Sequence, residues 1–272
     1  MTVLSVITWL AGTGLFLCLT MACAWLVQRR TGKSGWADVA WTMGLGIAGA
    51  VLALAPLGGT PEPLRQGLVA ALALLWALRL GGHILRRTLS SGEDPRYHQL
   101  AQEWGEAFPR RLFWFLQLQA VCSLLLAASV LLAGHSPGPL RWNDIAGVAL
   151  LLAAIAGEGL SDLQLARFRA NPANGKRVCN EGLWSLSRHP NYFFEWLAWL
   201  AYPLIAIDFG GGYSWGWLAL SGPAFMYWLL VHVSGVPPLE AHMLRSRGQA
   251  YRAYQAKVNA FFPAFPVKES SR

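Results

Sequence analysis

The stretch Glu181–Leu204, "EGLWSLSRHPNYFFEWLAWLAYPL", decides how this chain is read. A basic turn, Arg188-His189, runs through Pro190 into an apolar, Trp-rich segment that carries a carboxylate, Glu195. Proline suits the first turn of a helix, because its missing N–H would be unpaired there anyway. The start of that helix then presents free N–H groups and a partial positive charge beside Arg188 and His189, which makes a seat for a phosphate. Asn191 and Glu195 are four residues apart and share a face, the amide at the rim and the carboxylate one turn deeper. A polar ligand straddling a membrane boundary would put its anionic end among the cations and its reactive end in the apolar interior.

The surroundings support a membrane setting. Of 272 residues, 54% are hydrophobic and 13% charged, too few charges to cover the surface of a water-soluble domain of this size. The mean hydropathy is +0.36. Fourteen tryptophans fit a bilayer protein, because indoles favour the headgroup boundary. A helical span needs about 20 mostly apolar residues. Seven segments qualify, roughly 3–27, 36–56, 65–86, 112–134, 142–166, 191–208 and 214–236. The expectation is an all-α integral membrane bundle of seven transmembrane helices, one domain with cytoplasmic loops and a C-terminal cytoplasmic helix in the tail 237–272. The ending Phe261-Phe262-Pro263 is expected to fold back against the bundle.

The net charge of +8 resembles that of a nucleic-acid binder, but the charges sit in gaps between apolar runs, as membrane anchors do, so no nucleic acid is expected. The gaps after spans one, three and five and the tail hold nineteen of the 22 basic residues, Lys176, Lys268 and Arg272 among them. Arg65 and Arg141 fall on the opposite side, and Arg79 lies within the third span. This asymmetry places the N-terminus outside and the C-terminus in the cytoplasm. The first apolar run lacks a cationic start and a small-x-small cleavage site, so it reads as a retained span. The four cysteines form no CxxC pair and no Cys/His cluster, and no metal is expected.

Two motif matches are set aside. "GLGIAG" (Gly44, Gly46, Gly49) has the spacing of a dinucleotide-binding loop but lies within a span, where small residues let helices pack closely. "GYSWG" (Gly212–Gly216) matches the hydrolase elbow but has no strand before it. What remains is a set of ionisable groups at or near span depth, expensive there and usually functional: Asp38, Arg79, Glu158, Asp162 and Glu195. Asp38 either caps the second span or serves chemistry. Arg79 either snorkels or pairs with an inner carboxylate. Glu158 and Asp162 share a face of the fifth span, with Arg169 two turns on, as a ligand wall or as an interhelical seam. Glu240, Arg245 and Arg247 lie on a tail helix, followed by Tyr251 and Tyr254.

The run "GLWSLSRHPNYFFEW", about 40 apolar residues and a Glu/Arg/Gly/Tyr-x-x-Tyr tail together resemble the C-terminal half of steroid 5-alpha-reductases and sterol reductases. The chain is most similar to a bacterial inner-membrane branch of that superfamily with no assigned substrate, which shares a "DVAW" start to the second span and the segment "LWALRLGGHILRR…GEDPRY". The resemblance covers essentially the whole chain. It implies a seven-span bundle that binds NADPH from the cytoplasm and opens to a lipid-like substrate among membrane lipids. By position it implies cofactor contacts at Arg79, Arg87, Asp162, Arg169, Asn191, Glu240 and Arg245, which Arg188, His189 and Tyr192 of the turn are expected to join. Its implied catalytic region holds Glu195, Asp38 and Trp76. Two departures stand out: Phe194 occupies a usual glycine position, and Asp38, Trp41 and Trp76 occupy regions where steroid enzymes place a Gln-Glu pair and a Tyr.

Three functions are weighed. The first is an NADPH-dependent reductase of a carbon–carbon double bond in an apolar lipid or steroid-like enone, with Asp38 or Glu195 as the acid. The second is an S-adenosylmethionine-dependent membrane methyltransferase of the isoprenylcysteine type, which shares the Arg-His-Pro-x-Tyr turn. The third is a non-catalytic lipid-binding membrane protein.

Overall fold

The computed structural model describes residues 2–90, 94–175 and 177–265. Gly92 and Glu93 of the loop motif, and Lys176, Lys268 and Arg272 of the cationic set, lie outside them. Of the described residues, 80% are helical. Among the described residues, six helical segments are long and apolar enough to cross a membrane: Val3–Thr31, Gly35–Ala53, Pro63–Ser90, Arg96–Gly134, Trp142–Ala170 and Ser214–Arg247.

Local chemistry sets the ends of the helices. The first, α1 (Val3–Thr31), starts on Thr2, whose hydroxyl accepts from the N–H of Ser5. It stops at Gly32, where φ of 69° lets the N–H turn back to the Gln28 carbonyl. After α2 (Gly35–Ala53) and α3 (Pro63–Ser90) comes a short α4 (Pro95–Trp104), whose N-cap Asp94 accepts from Arg96 N with Pro95 in the first turn. Two long helices follow, α5 (Phe108–Gly134) and α6 (Trp142–Ala170).

The sixth expected span, 191–208, differs. It is two helices, α7 (Pro190–Trp199) and α8 (Ala201–Ala206), broken at Leu200. Pro203 has no N–H to donate to the Trp199 carbonyl, and its ring would collide with that carbonyl, so the helix breaks four residues upstream. Neither piece is long enough to cross alone, which is why six helices rather than seven meet the length. The next segment, expected over 214–236, is also irregular, with a 3₁₀ stretch Ser214–Leu220, α9 (Ser221–Trp228) and a π-helical turn Leu229–Val233. The tail, expected as one helix, is two: α10 (Val236–Arg247) and α11 (Gln249–Lys257). They are separated at Gly248, whose φ of 53° a side-chain-bearing residue would adopt only under strain.

The chain folds as two compact units, one of residues to Val148 plus Leu200–Phe225, the other of Ala149–Trp199 plus Met226 onward. The sequence shows no linker because the division falls within α6, at the α7–α8 break and within α9. In the first unit the "GLGIAG" glycines do pack helices together. A Cβ on Gly46 would sit 2.2 Å from the Ala77 Cβ and 3.1 Å from the Ala73 carbonyl, so α2 and α3 touch through backbone there.

One end of this unit is closed by a polar cluster. Arg65, fully buried on α3, donates from Nε and Nη2 to the two oxygens of Asp144 (2.7 and 2.9 Å) and from Nη1 and Nη2 to the carbonyls of Ser136, Gly138 and Pro139. Arg141 pairs with Asp208 at 3.1 Å. Asn143 Nδ2 donates to the Leu204 and Ile207 carbonyls, and Ser136 Oγ to that of Ala206, so the freed C-terminal carbonyls of α8 are satisfied.

In the second unit the tail clasps the turn before α7. Arg188 N donates to Asn259 O, Ala264 N to Leu186 O, and Ser187 Oγ to the Phe261 carbonyl at 2.8 Å. The Tyr254 hydroxyl donates to Trp184 O. Phe261, 4% exposed, lies against Phe193, Trp196 and Tyr227. The aromatic ending thus folds back onto the helices. Phe194, the bulky departure from the glycine pattern, fits because its ring lies over Gly157 of α6, where a Cβ would come within 2.4 Å of it.

Candidate functional site

In the first unit, Asp38 sits one turn into α2 and is not a cap. It accepts from Arg96 Nη2 at 2.5 Å and from the Tyr97 hydroxyl at 2.9 Å. Arg96 also donates to Asp94, which receives Arg87 Nη2 at 2.9 Å. Asp38 and Arg87 thus join one network through Arg96 and Asp94, neither of which the sequence reading selected. Asp94 is held below the usual carboxylate range: burial pushes it up, but the Arg96 hydrogen bonds and charge and the Arg87 charge outweigh that. Trp76 is 2% exposed and meets Trp41 edge to face at 6.5 Å. Arg79 is half-buried on α3.

The second unit holds the other candidates. Asn191 and Glu195 lie one turn apart on α7, the amide half-buried and the carboxyl 6% exposed. Glu195 Oε1 accepts from the Trp199 indole N–H at 2.9 Å. On α6, Glu158 is 4% exposed, Asp162 half-buried and Arg169 exposed. At 100° per residue these three fall on one face. A polar cavity of about 510 Å³, lined by Gln164, Arg167, Asn171, Arg177, Cys179 and Glu181 among others, takes the opposite face. Burial pushes the Cys179 thiol up.

The decisive geometry is at Arg188, His189 and Glu240. Arg188 Nε donates to Glu240 Oε1 at 2.7 Å, His189 Nε2 lies 3.0 Å from the same oxygen, and Gln255 Nε2 donates to Oε2 at 2.7 Å. Arg188 Nη1 also donates to the Val258 carbonyl at 2.6 Å. Glu240 neutralises the guanidinium locally, so the turn is less cationic than its letters indicate. His189 is 1% exposed, and burial holds its pKa below 6.5 against the opposing pull of Glu240. A neutral ring that donates from Nε2 to a carboxylate presents Nδ1 as a bare acceptor. That Nδ1 is buried with no partner among the described residues. The Tyr192 ring stacks on the imidazole at 5.5 Å, 6° from parallel. Arg245 is exposed farther along α10. Gln255, missed in the sequence, completes the clasp together with Tyr254 of the Tyr-x-x-Tyr spacing. Burial raises the Tyr251 and Tyr254 phenols above their usual range. Among the described residues no three His, Cys, Asp or Glu side chains group as metal ligands.

Fold and site together define a multi-pass helical membrane protein with ionisable groups buried in its helices. The chain belongs to the family described as "Protein of unknown function (DUF1295)", whose model matches residues 24–258. It is similar to "Uncharacterized protein C594.04c" of Schizosaccharomyces pombe, 28% identical over 230 aligned residues. That alignment covers 73% of this chain and 63% of the yeast protein, less than two thirds of the relative's length. No solved structure matches the chain.

Proposed function

We propose that this protein is an NADPH-dependent membrane reductase acting on a carbon–carbon double bond of an apolar lipid or steroid-like enone. The observation that carries the reading is the burial of Glu158, His189 and Glu195 in one unit, each no more than 6% exposed. Ionisable groups at such positions are costly and mark sites more often than scaffolding. The unpartnered His189 Nδ1 fits a nucleotide cofactor through a donor, a ribose hydroxyl or a carboxamide N–H, rather than through a phosphate. Asn191, Asp162, Arg169 and Arg245 are the remaining groups to hold it. When bound, NADPH supplies a hydride. Glu195 in its neutral form would give the proton to the enolate that develops as the double bond takes the hydride; Asp38, the other acid of the sequence, is engaged as an acceptor by Arg96 and Tyr97. The reading keeps the seven spans of the sequence, 191–208 among them, with the N-terminus outside and the C-terminus in the cytoplasm of a bacterial-type inner membrane.

One observation favours the methyltransferase alternative: with Arg188 matched by Glu240, the turn lacks a spare cation for a 2′-phosphate, and S-adenosylmethionine carries none. Thermal unfolding of the detergent-purified chain with each cofactor separates them. The reductase reading expects saturable stabilisation by NADPH that Asn191→Ala weakens. Stabilisation by S-adenosylmethionine alone transfers the site to methyl transfer, and a response to neither leaves a lipid binder.

A further inference from the structure

On α1 the residues Leu15, Leu19, Leu26 and Arg29 follow one another at helical spacing, and the three leucines are 62, 57 and 50% exposed. On α5 the matching stripe is Arg110, Trp114, Leu118 and Val121, with the last three 64, 60 and 56% exposed. Each stripe is apolar along its length and ends in an exposed arginine. The two ends meet. Trp25 donates its indole N–H to the Pro109 carbonyl at 2.8 Å, and its ring meets Phe113 edge to face at 5.4 Å. The Arg29 guanidinium lies 5.5 Å from the Trp25 ring centroid. Between them opens a groove of about 520 Å³ lined by Trp25, Arg29, Glu106, Pro109, Arg110 and Phe113.

We propose that this groove is a binding site for one anionic glycerophospholipid whose headgroup carries hydroxyls. The floor is aromatic and continues into two lipid-exposed apolar stripes, which suits acyl chains. Arg29 and Arg110 hold the phosphodiester by charge-assisted hydrogen bonds. Glu106 accepts from a headgroup hydroxyl. The three charges sum to +1, which one singly charged lipid cancels and a zwitterion does not. Tryptophan and arginine at a boundary ordinarily meet bulk headgroups without selecting among them. Here the Trp25–Pro109 bond and the Arg29–Trp25 contact fix the groove before any lipid arrives. The site lies in the first unit and stands apart from the reductase reading.

The test uses native mass spectrometry and thermal unfolding of the full chain in detergent. Probes are a phosphatidylglycerol, a phosphatidylethanolamine and inorganic phosphate. The expected result is saturable retention of one phosphatidylglycerol with a matching stabilisation. Replacing both groove arginines (Arg29→Gln with Arg110→Gln) should weaken it by on the order of tenfold or more. The neighbouring exposed pair (Arg30→Gln with Arg111→Gln) lines no part of the groove and should leave it unchanged; circular dichroism checks that both variants fold. Equal retention of phosphatidylethanolamine, equal stabilisation by phosphate alone, or equal loss in both double variants overturns the proposal.

Discussion

Arg65 with Asp144 and Arg188 with Glu240 are both arginine–carboxylate pairs at 2.7 Å, yet they are built to different ends. Around Arg65, five hydrogen bonds use the full donor set of a guanidinium, and Asp144 also accepts the Arg141 N–H at 2.6 Å. Arg65 has no donor left over for a ligand, although Arg141 Nε and Asn143 Oδ1 beside it are buried with no partner among the described residues; the cluster closes one end of its unit. Around Glu240 the guanidinium and the imidazole share one oxygen, and the imidazole keeps a buried lone pair with no partner among the described residues. A guanidinium with every donor placed specifies architecture; a buried polar atom without a partner costs stability, and at His189 it is the acceptor of a ring already fixed through its other nitrogen.

The sharpest break of that comparison is Arg65→Ala. It strands Asp144 in the interior, and the expected loss is roughly 3–5 kcal/mol in detergent unfolding. Arg65→Lys should restore little, since an ammonium has three donors for five positions. A loss within that of a surface substitution would remove the structural role given to this cluster. Arg188→Ala should cost less, about 1.5–3 kcal/mol, because its partners are partly hydrated and Gln255 still serves Glu240. The tail is then expected to be cut by protease at residues beyond Gly235 well before the helices are. Unchanged cleavage would mean that the clasp does not hold the tail.

The smallest effect is the dependence on pH. Burial keeps His189 neutral below 6.5, where the unfolded chain takes up a proton. A depressed histidine contributes stability that is whole above the unfolded pKa and declines as the pH falls from there toward the folded one. Unfolding midpoints should therefore drop between about pH 7.5 and about pH 5.5, and His189→Gln should flatten that slope. A steeper slope in the variant would reverse the neutral assignment and remove the bare acceptor.

Much of the candidate site was legible. Asn191 and Glu195 share a face because four residues make a turn, and Pro190 starts the helix they ride on. The tail's return was legible from the aromatic ending Phe261-Phe262-Pro263. The break at Leu200 was not read, although Pro203 announces it, because hydropathy averages over a proline. Asp38 looked like a cap or an acid; its true company, Arg96 and Tyr97, is nearly 60 positions away.

What the sequence determined by itself is the kind of molecule: helices of membrane length and the glycines through which α2 and α3 touch, because these depend on local spacing and on the ratio of apolar to charged surface. Only the tertiary structure decided which charges are spent. Arg65 reads as a loop-side anchor until Asp144, 79 positions on, is laid against it, and Arg188 reads as a free cation until Glu240 arrives from the tail. Composition counts charges, but desolvation and pairing, which set what each charge can still do, depend on neighbours the chain brings from afar.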